Sequence, residues 1–258
     1  MFQPLELNFL TFREKTVESL KPHVQLCVKG NIGNFLYVES FYSFAPPMEE
    51  LDNKEKLTRG AEELFLRYGL RSVSMDDIAR HLGISKKTIY QHFVDKDEVV
   101  ATVAKGHMER QRQEFRQIAK ESKNAVEELV KMSACLKEMM RNINPSLLFD
   151  MQKYHQKAWT EWLTFKQKFI RENIIRSLKQ GMSEGVFRDD IVVDIIATMR
   201  LEQLQMVFDN NVFPRHRFSV PDVQMQLFDH FVHGIFTEKG RKLYMKYKQQ
   251  NPQPYTVH

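Results

Sequence analysis

The chain has 258 residues, 28% charged and 42% hydrophobic, with a formal net charge of +5 and a pI near 9.0; this is the balance of a soluble globular protein with one large or two modest cores, and it excludes disorder dictated by composition. Its two cysteines, Cys27 and Cys135, lie far apart with no His or Cys at zinc spacing, which argues against a disulfide framework and a structural zinc site. No apolar run is long enough to span a bilayer, the opening MFQPLELNFL lacks a basic leader with an uninterrupted apolar stretch, and the basic excess suits a polyanionic partner, so a cytoplasmic protein is expected.

In chain order, residues 1–47 stand apart: rich in Phe and Tyr, without a sustained helical period, and closed by Pro46-Pro47 just before Met48. They are expected to be a poorly ordered extension or a mis-assigned start, with the functional protein beginning at or near Met48. Helical periodicity then sets in. Leu57, Ala61, Leu64, Phe65 and Tyr68 recur on one face of a first helix that Gly69 closes. Next comes SMDDIARHLGISKKTIYQHF, Ser74 to Phe93, which spells two short helices joined by a turn of fixed length. Ser74 and Asp77 form a capping box, Met75, Ile78, Ala79 and Leu82 give the first helix one apolar face, and Gly83 supplies the left-handed residue that ends it. Ile84 plugs the corner, and Ser85 caps a second helix whose buried side is Ile89 and Phe93. Ser85, Lys86, Lys87, Thr88, Tyr90, Gln91 and His92 crowd donors onto the opposite face, as a DNA reader requires.

At these residues the chain resembles the TetR (tetracycline-repressor) family of bacterial transcription regulators. The family pattern of a Thr or Ser cap, Ile-Ala, an apolar-Gly-apolar-Ser turn, Thr-aliphatic-Tyr, Tyr or His before Phe, and a Lys three residues on reads here as Ser74, Ile78-Ala79, Leu82-Gly83-Ile84-Ser85, Thr88-Ile89-Tyr90, His92-Phe93 and Lys96. The match is close over roughly Lys54 to Val103 and architectural beyond it. The resemblance implies an all-α fold in which a three-helix helix-turn-helix domain precedes a larger helical ligand-binding and dimerisation domain. It also implies a double-stranded DNA operator and a second copy of the chain as partners. By matched position, Lys86, Lys87 and Thr88, with Gln91 as a further candidate, are expected to contact bases, and Ser74, Ser85, Tyr90, His92 and Lys96 to hold phosphates. Lys87 departs from the pattern, which often carries Gly or another small residue there, and it puts a second positive charge at the DNA-facing start of the helix.

Beyond the reader, Asp95 and Glu98 form a second capping box that opens a long helix through Val99, Val100 and Val103 toward Ile118. Further helices are expected near 124–142, 146–155, 157–180, 189–209 and 221–237, with a tail helix from Glu238 to about Lys248. The domains are accordingly set at 1–47 (extension), 48–103 (helix-turn-helix, with the reader motif at 74–93), 104–248 (effector binding and dimerisation) and 249–258 (tail). Met132, Met139, Met140, Phe149, Met151, Tyr154, His155, Trp159, Trp162, Phe165 and Phe169 concentrate large adaptable side chains where the resemblance places an effector pocket. An apolar or aromatic small molecule would suit such walls. Core packing is the ordinary explanation for the same residues. In the last two long helices Ile195 and Met199, and then Val223, Leu227, Phe228, Phe231, Val232 and Ile235, widen the apolar stripe enough to suggest a dimer interface.

No phosphate-binding Gly loop, His-Glu-x-x-His or G-x-S-x-G occurs, so no catalytic residue, metal or cofactor is expected. The work is binding: a homodimeric, ligand-responsive repressor on a palindromic operator is expected. Two alternatives stay open, a constitutive DNA-binding regulator without an effector, and a helical enzyme or partner-binding scaffold.

Overall fold

The computed structural model describes residues 52–141 and 143–250; the extension of residues 1–47 and the last eight residues lie outside the described part. Within it the chain is helical, as its periodicity predicts: α1 (Asn53–Tyr68), α2 (Met75–Leu82), α3 (Lys86–Tyr90), α4 (Lys96–Glu121), α5 (Ala125–Arg141), α6 (Leu147–Tyr154), α7 (Gln156–Thr164), a π-helical turn (Phe165–Ile170), α8 (Arg171–Ser183), α9 (Val193–Met206), α10 (Val220–Ile235) and α11 (Glu238–Gln250).

The reader forms for the reasons its sequence gives. Asp77 N–H donates to Ser74 Oγ at 3.2 Å and Ser74 N–H donates to Asp77 Oδ2 at 2.9 Å, so two orphan donors at the start of α2 are satisfied reciprocally. Gly83 ends α2 with φ +67°, where any side chain would be strained. Ser85 Oγ accepts from Thr88 N–H at 3.1 Å and opens α3. Five residues are too few for a helix to persist alone. α3 is held by Ile89 and Phe93, both fully buried, against a core built from Leu57, Ala61, Phe65, Ile78 and Val99. That core does not stop at the domain boundary: Leu148, Met151 and Ala158 of α6 and α7 belong to it, and α4 runs unbroken across residue 103.

A second core lies among α5, α8, α9, α10 and α11, around Val126, Leu178, Phe228, Phe231 and Val232. A smaller one joins α4 to the π turn through Phe115, Phe165 and Phe169. After α8 the chain pairs with the end of α10 at a single antiparallel bridge, Phe187 to Phe236, where Arg188 N–H donates to Ile235 O at 2.8 Å and Thr237 N–H to Val186 O at 3.1 Å.

Three local expectations need correction. Tyr68 is 48% exposed and leaves the stripe of α1 at its last turn. The second capping box is half formed: Asp95 accepts from Glu98 N–H at 2.8 Å, but Glu98 reaches one residue further back, to Val94 N–H at 2.7 Å. The helix expected over 157–180 is broken in register by the π turn. There the widened turn presents Phe165 and Phe169 to Phe115 while Lys166, itself buried, reaches α9 and donates to Glu202 at 2.8 Å and Gln205 at 2.6 Å.

Candidate nucleic-acid interface and internal cavity

The two adjacent lysines of the reader are not equivalent. Lys86 Nζ sits 2.7 Å from Asp76 Oδ2, and the hydrogen bond to Asp76 raises the ammonium above its usual range even though both groups are exposed. Lys87 is exposed and has no ion-pair partner among the described residues. Tyr90, 51% exposed, and Gln91 share its surface, while His92 is half-buried. Thr88 Oγ1 and Ser85 Oγ lie 2.9 Å apart and engage each other. Ser74 Oγ donates to Asp77 at 2.6 Å, and this bond, followed by the Ser74 N–H, holds the Asp77 carboxyl below its usual range. Lys96, expected on phosphate, turns instead to donate to Leu70 O across the reader; burial lowers its ammonium, with Asp150 and Asp77 near enough to offset part of that. One of its three donors therefore serves the fold. Replacing Asp76 with Asn should free Lys86 and remove a negative charge from the same face. Affinity for duplex DNA of any sequence is expected to rise a few-fold, with the salt slope steeper by about one ion per reader, as read by anisotropy titrations at several salt concentrations.

Behind the reader, about 200 Å³ of internal space opens among α1, α4, α5, α8, α9 and α10, with Val103, Met108, Met132, Leu136, Met139 and Met140 in its wall. Of the residues expected to form the pocket, Met132, Met139, Met140, Met151 and Trp162 line it. The others do not. Phe149 and Tyr154 point outward, 56% and 43% exposed, with Lys153 over both rings and Arg71 over Tyr154. His155 is buried but bonds Asp97 at 3.0 Å, tying α6 to the first turn of α4. Trp159 packs on the reader core, and Phe165 is enclosed beside Phe169 at 5.3 Å. Helix periodicity gives aromatic spacing; it does not say which side of the rod meets a cavity.

Sequence reasoning missed the polar groups of this wall. Glu62 on α1 accepts from His107 at 2.6 Å and from Arg110, both on α4. Gln111 continues the chain of contacts, 2.5 Å from His107 and 3.1 Å from Met139 Sδ, so one network runs from the reader's first helix to α5. Burial alone would raise the Glu62 carboxyl, but the hydrogen bond and charge of His107, and then Arg110, outweigh it and hold the group below its ordinary 4.5. A depressed folded value contributes stability above pH 4.5 that is lost as pH falls through it. Glu62→Gln should therefore melt lower at neutral pH, by about 1–3 kcal/mol, and flatten the acid limb of a melting-temperature profile.

Arg200 on α9 is the larger surprise. It is 4% exposed, stacks over Phe228 at 5.4 Å and Phe231 at 5.3 Å, and its Nη1 has no hydrogen-bond partner. No carboxylate offsets the burial, which pushes its guanidinium down to about 10. A ring face returns about 2 kcal/mol or more at a desolvated site, which offsets only part of the several kcal/mol that an unpaired buried ion costs. Ser177 Oγ and Trp162 Nε1, in the wall of the same cavity, are likewise buried without partners.

The apolar stripes divide by burial. Ile195 and Met199 are 64% and 42% exposed, next to Val192 at 60%. Val223, Phe228, Phe231, Val232 and Ile235, expected at the same interface, are enclosed by the chain's own core, and Leu227 is half-buried. Adjacent lines on a 3.6-residue period merge into one broad core face in α10.

A short capped helix clamped on a three-helix core, with donors on its free face and a larger helical body behind, defines a helix-turn-helix DNA-binding protein. Residues 57–103 match the model for bacterial regulatory proteins of the tetR family, so this stretch of the chain is similar to the DNA-binding region of those regulators. It is similar to the uncharacterised HTH-type transcriptional regulator YvaF of Bacillus subtilis, 29% identical over 171 residues that cover 65% of this chain and 88% of the relative. It is also similar to the HTH-type transcriptional repressor KstR2 of Mycobacterium tuberculosis, 26% identical over 53% of this chain and 70% of the repressor. Among solved structures, a TetR-family regulator from Agrobacterium tumefaciens superposes with a TM-score of 0.61 at 14% identity, covering 71% of this chain and 97% of that one. The ketosteroid transcriptional regulator KstR2 of M. tuberculosis superposes at 0.51 with 22% identity, covering 72% and 95%. These superpositions establish the shared fold. Among the described residues no helix is long and apolar enough to cross a membrane.

Proposed function

We propose that this regulator is a homodimeric repressor that binds a palindromic operator and is released when a small molecule fills the cavity behind its readers. The observation that carries the reading is the free donor face of α3, where Lys87, Tyr90 and Gln91 stand exposed on a helix fixed by Ser85, Ile89 and Phe93. In this reading Lys87, Gln91 and, after exchange of its Asp76 contact, Lys86 read base edges, with Thr88 beside them; Ser74, Ser85, Tyr90 and His92 hold phosphates. Residues 48–103 are the reader domain and 104–248 the regulatory body. One five-residue helix places few side chains on bases, so two copies on half-sites a helical turn apart are needed, and the exposed strip of Val192, Ile195 and Met199 supports a second copy docking at α9. Repression is inferred from the KstR2 relative, whose name gives that sign of control.

Release requires a ligand that favours the geometry unfit for DNA, since equal affinity for both geometries shifts nothing. The network from Met139 and Gln111 through His107 to Glu62 supplies contact between the cavity wall and α1. The test is selection of bound fragments from the host genome, then a screen of small molecules for release of the selected fragment. A symmetric site released by at least one compound is the expected result. A specific site that no cavity-binding compound releases would leave a constitutive regulator.

A further inference from the structure

The cavity holds an unused binding group. Arg200 lies in its wall, buried among α8, α9 and α10, with one guanidinium N–H₂ unpartnered and two phenylalanine rings beneath it. Ser177, one helix away, offers a second unpartnered polar atom in the same wall. Trp162 Nε1 is the other unpartnered polar atom of the wall, but it carries no charge; the charged groups Glu62 and Glu128 are neutralised, Glu62 by His107 and Arg110 and Glu128 by Arg176. Gln111 is engaged with His107 and Asn173 with Phe169 O, and apart from Ala104 and Trp162 the remainder is Met, Leu, Ile, Val and Phe.

We infer that the ligand of this cavity is an apolar molecule with an anionic head, a carboxylate held by Arg200 with Ser177 Oγ as a second donor, its hydrocarbon body lying among the methionines of α5. The inference rests on the proposed effector site and replaces a neutral apolar or aromatic ligand with a charged amphiphile. Charge and shape both require it. A guanidinium shielded from water and without a counter-ion binds an oxygen anion more strongly than any neutral group, because its desolvation is already complete before the ligand arrives. A planar carboxylate matches its fork, and the rings that cover its face leave the edge bearing the N–H donors for the ligand. The low pKa of the group has the same origin, burial without a counter-charge.

The test uses the full chain and two probes of equal chain length, octanoate and octan-1-ol, with binding measured by calorimetry. Wild-type protein is expected to prefer octanoate by about tenfold or more. Arg200→Met should remove that preference while leaving octan-1-ol binding unchanged, and Arg200→Lys should restore part of it as a point charge. Without ligand, Arg200→Met is expected to melt at or above the wild-type temperature, because it removes an unpaired buried charge while keeping an apolar side chain over the rings. Equal binding of the two probes, binding of neither, or an Arg200→Met protein that melts lower and loses both probes equally would overturn the anion site. DNA release separates this inference from the reading it rests on. Octanoate that binds through Arg200 without releasing DNA keeps the site and removes its effector role; release by octan-1-ol and not by octanoate keeps an effector and removes the anion site.

Discussion

Phe93→Ala should abolish DNA binding while leaving most of the helix content in place. The ring is 2% exposed beneath α3, its N–H bonds Ile89 O at 3.0 Å, and Lys54 lies over it at 5.2 Å, so it clamps the reader helix to α1. Truncating a buried Phe costs about 3–5 kcal/mol, and α3 has no length with which to resist that loss. The core of α5, α8, α9, α10 and α11 shares no residue with the cluster that contains Phe93. Thermal unfolding followed by circular dichroism is therefore expected to split, with an early small transition for the reader and a later large one for the body. A single wild-type transition together with wild-type DNA affinity would contradict this account of the clamp.

Lys87→Ala should weaken specific binding by about 1–3 kcal/mol at each half-site, and Lys86→Ala by less. The asymmetry follows from Asp76. Lys86 enters any complex already paired at 2.7 Å and must give up that contact, whereas Lys87 has no ion-pair partner among the described residues to surrender. Removing Lys87 takes a charge and a base donor from the interface; removing Lys86 also exposes Asp76 to DNA, a repulsive loss that falls on all sequences alike. Fragment selection with each variant distinguishes the two, since the Lys87 variant is expected to shift the preferred bases strongly and the Lys86 variant to shift them less while also lowering affinity for every sequence. Equal losses on specific and random duplexes for both variants would place both lysines on the backbone.

The reader was legible because its signals are local. A cap, a turn glycine and an apolar face each act within a few residues, and Ser74, Gly83, Ser85, Ile89 and Phe93 all take the places their spacing gives. The helices of the body were legible for the same reason, to within a few residues at most ends. What depended on three-dimensional neighbours was not. Nothing around Lys96 indicates that its ammonium crosses 26 residues to Leu70 O. The π turn follows from the demand that Phe165 and Phe169 face α4 while Lys166 reaches α9, and only the packed body makes that demand. Aromatic density drew the expected pocket to Phe149 and Tyr154, which face solvent, while an arginine in the middle of α9 reads as a surface charge by residue type. The stripe of α10 is apolar as its spacing predicts, but spacing alone does not separate burial inside one chain from burial between two.

The central claim is that Ser74 to Phe93 reads DNA sequence as one half of a two-fold pair. Footprinting the purified full chain on its most enriched genomic fragment tests it most directly. Two protected half-sites related by a two-fold axis and centred about 10 base pairs, or a multiple of that, apart are the result predicted, with protection lost in Phe93→Ala. No enriched fragment at low salt from a folded dimer, or protection that survives Phe93→Ala, would contradict it.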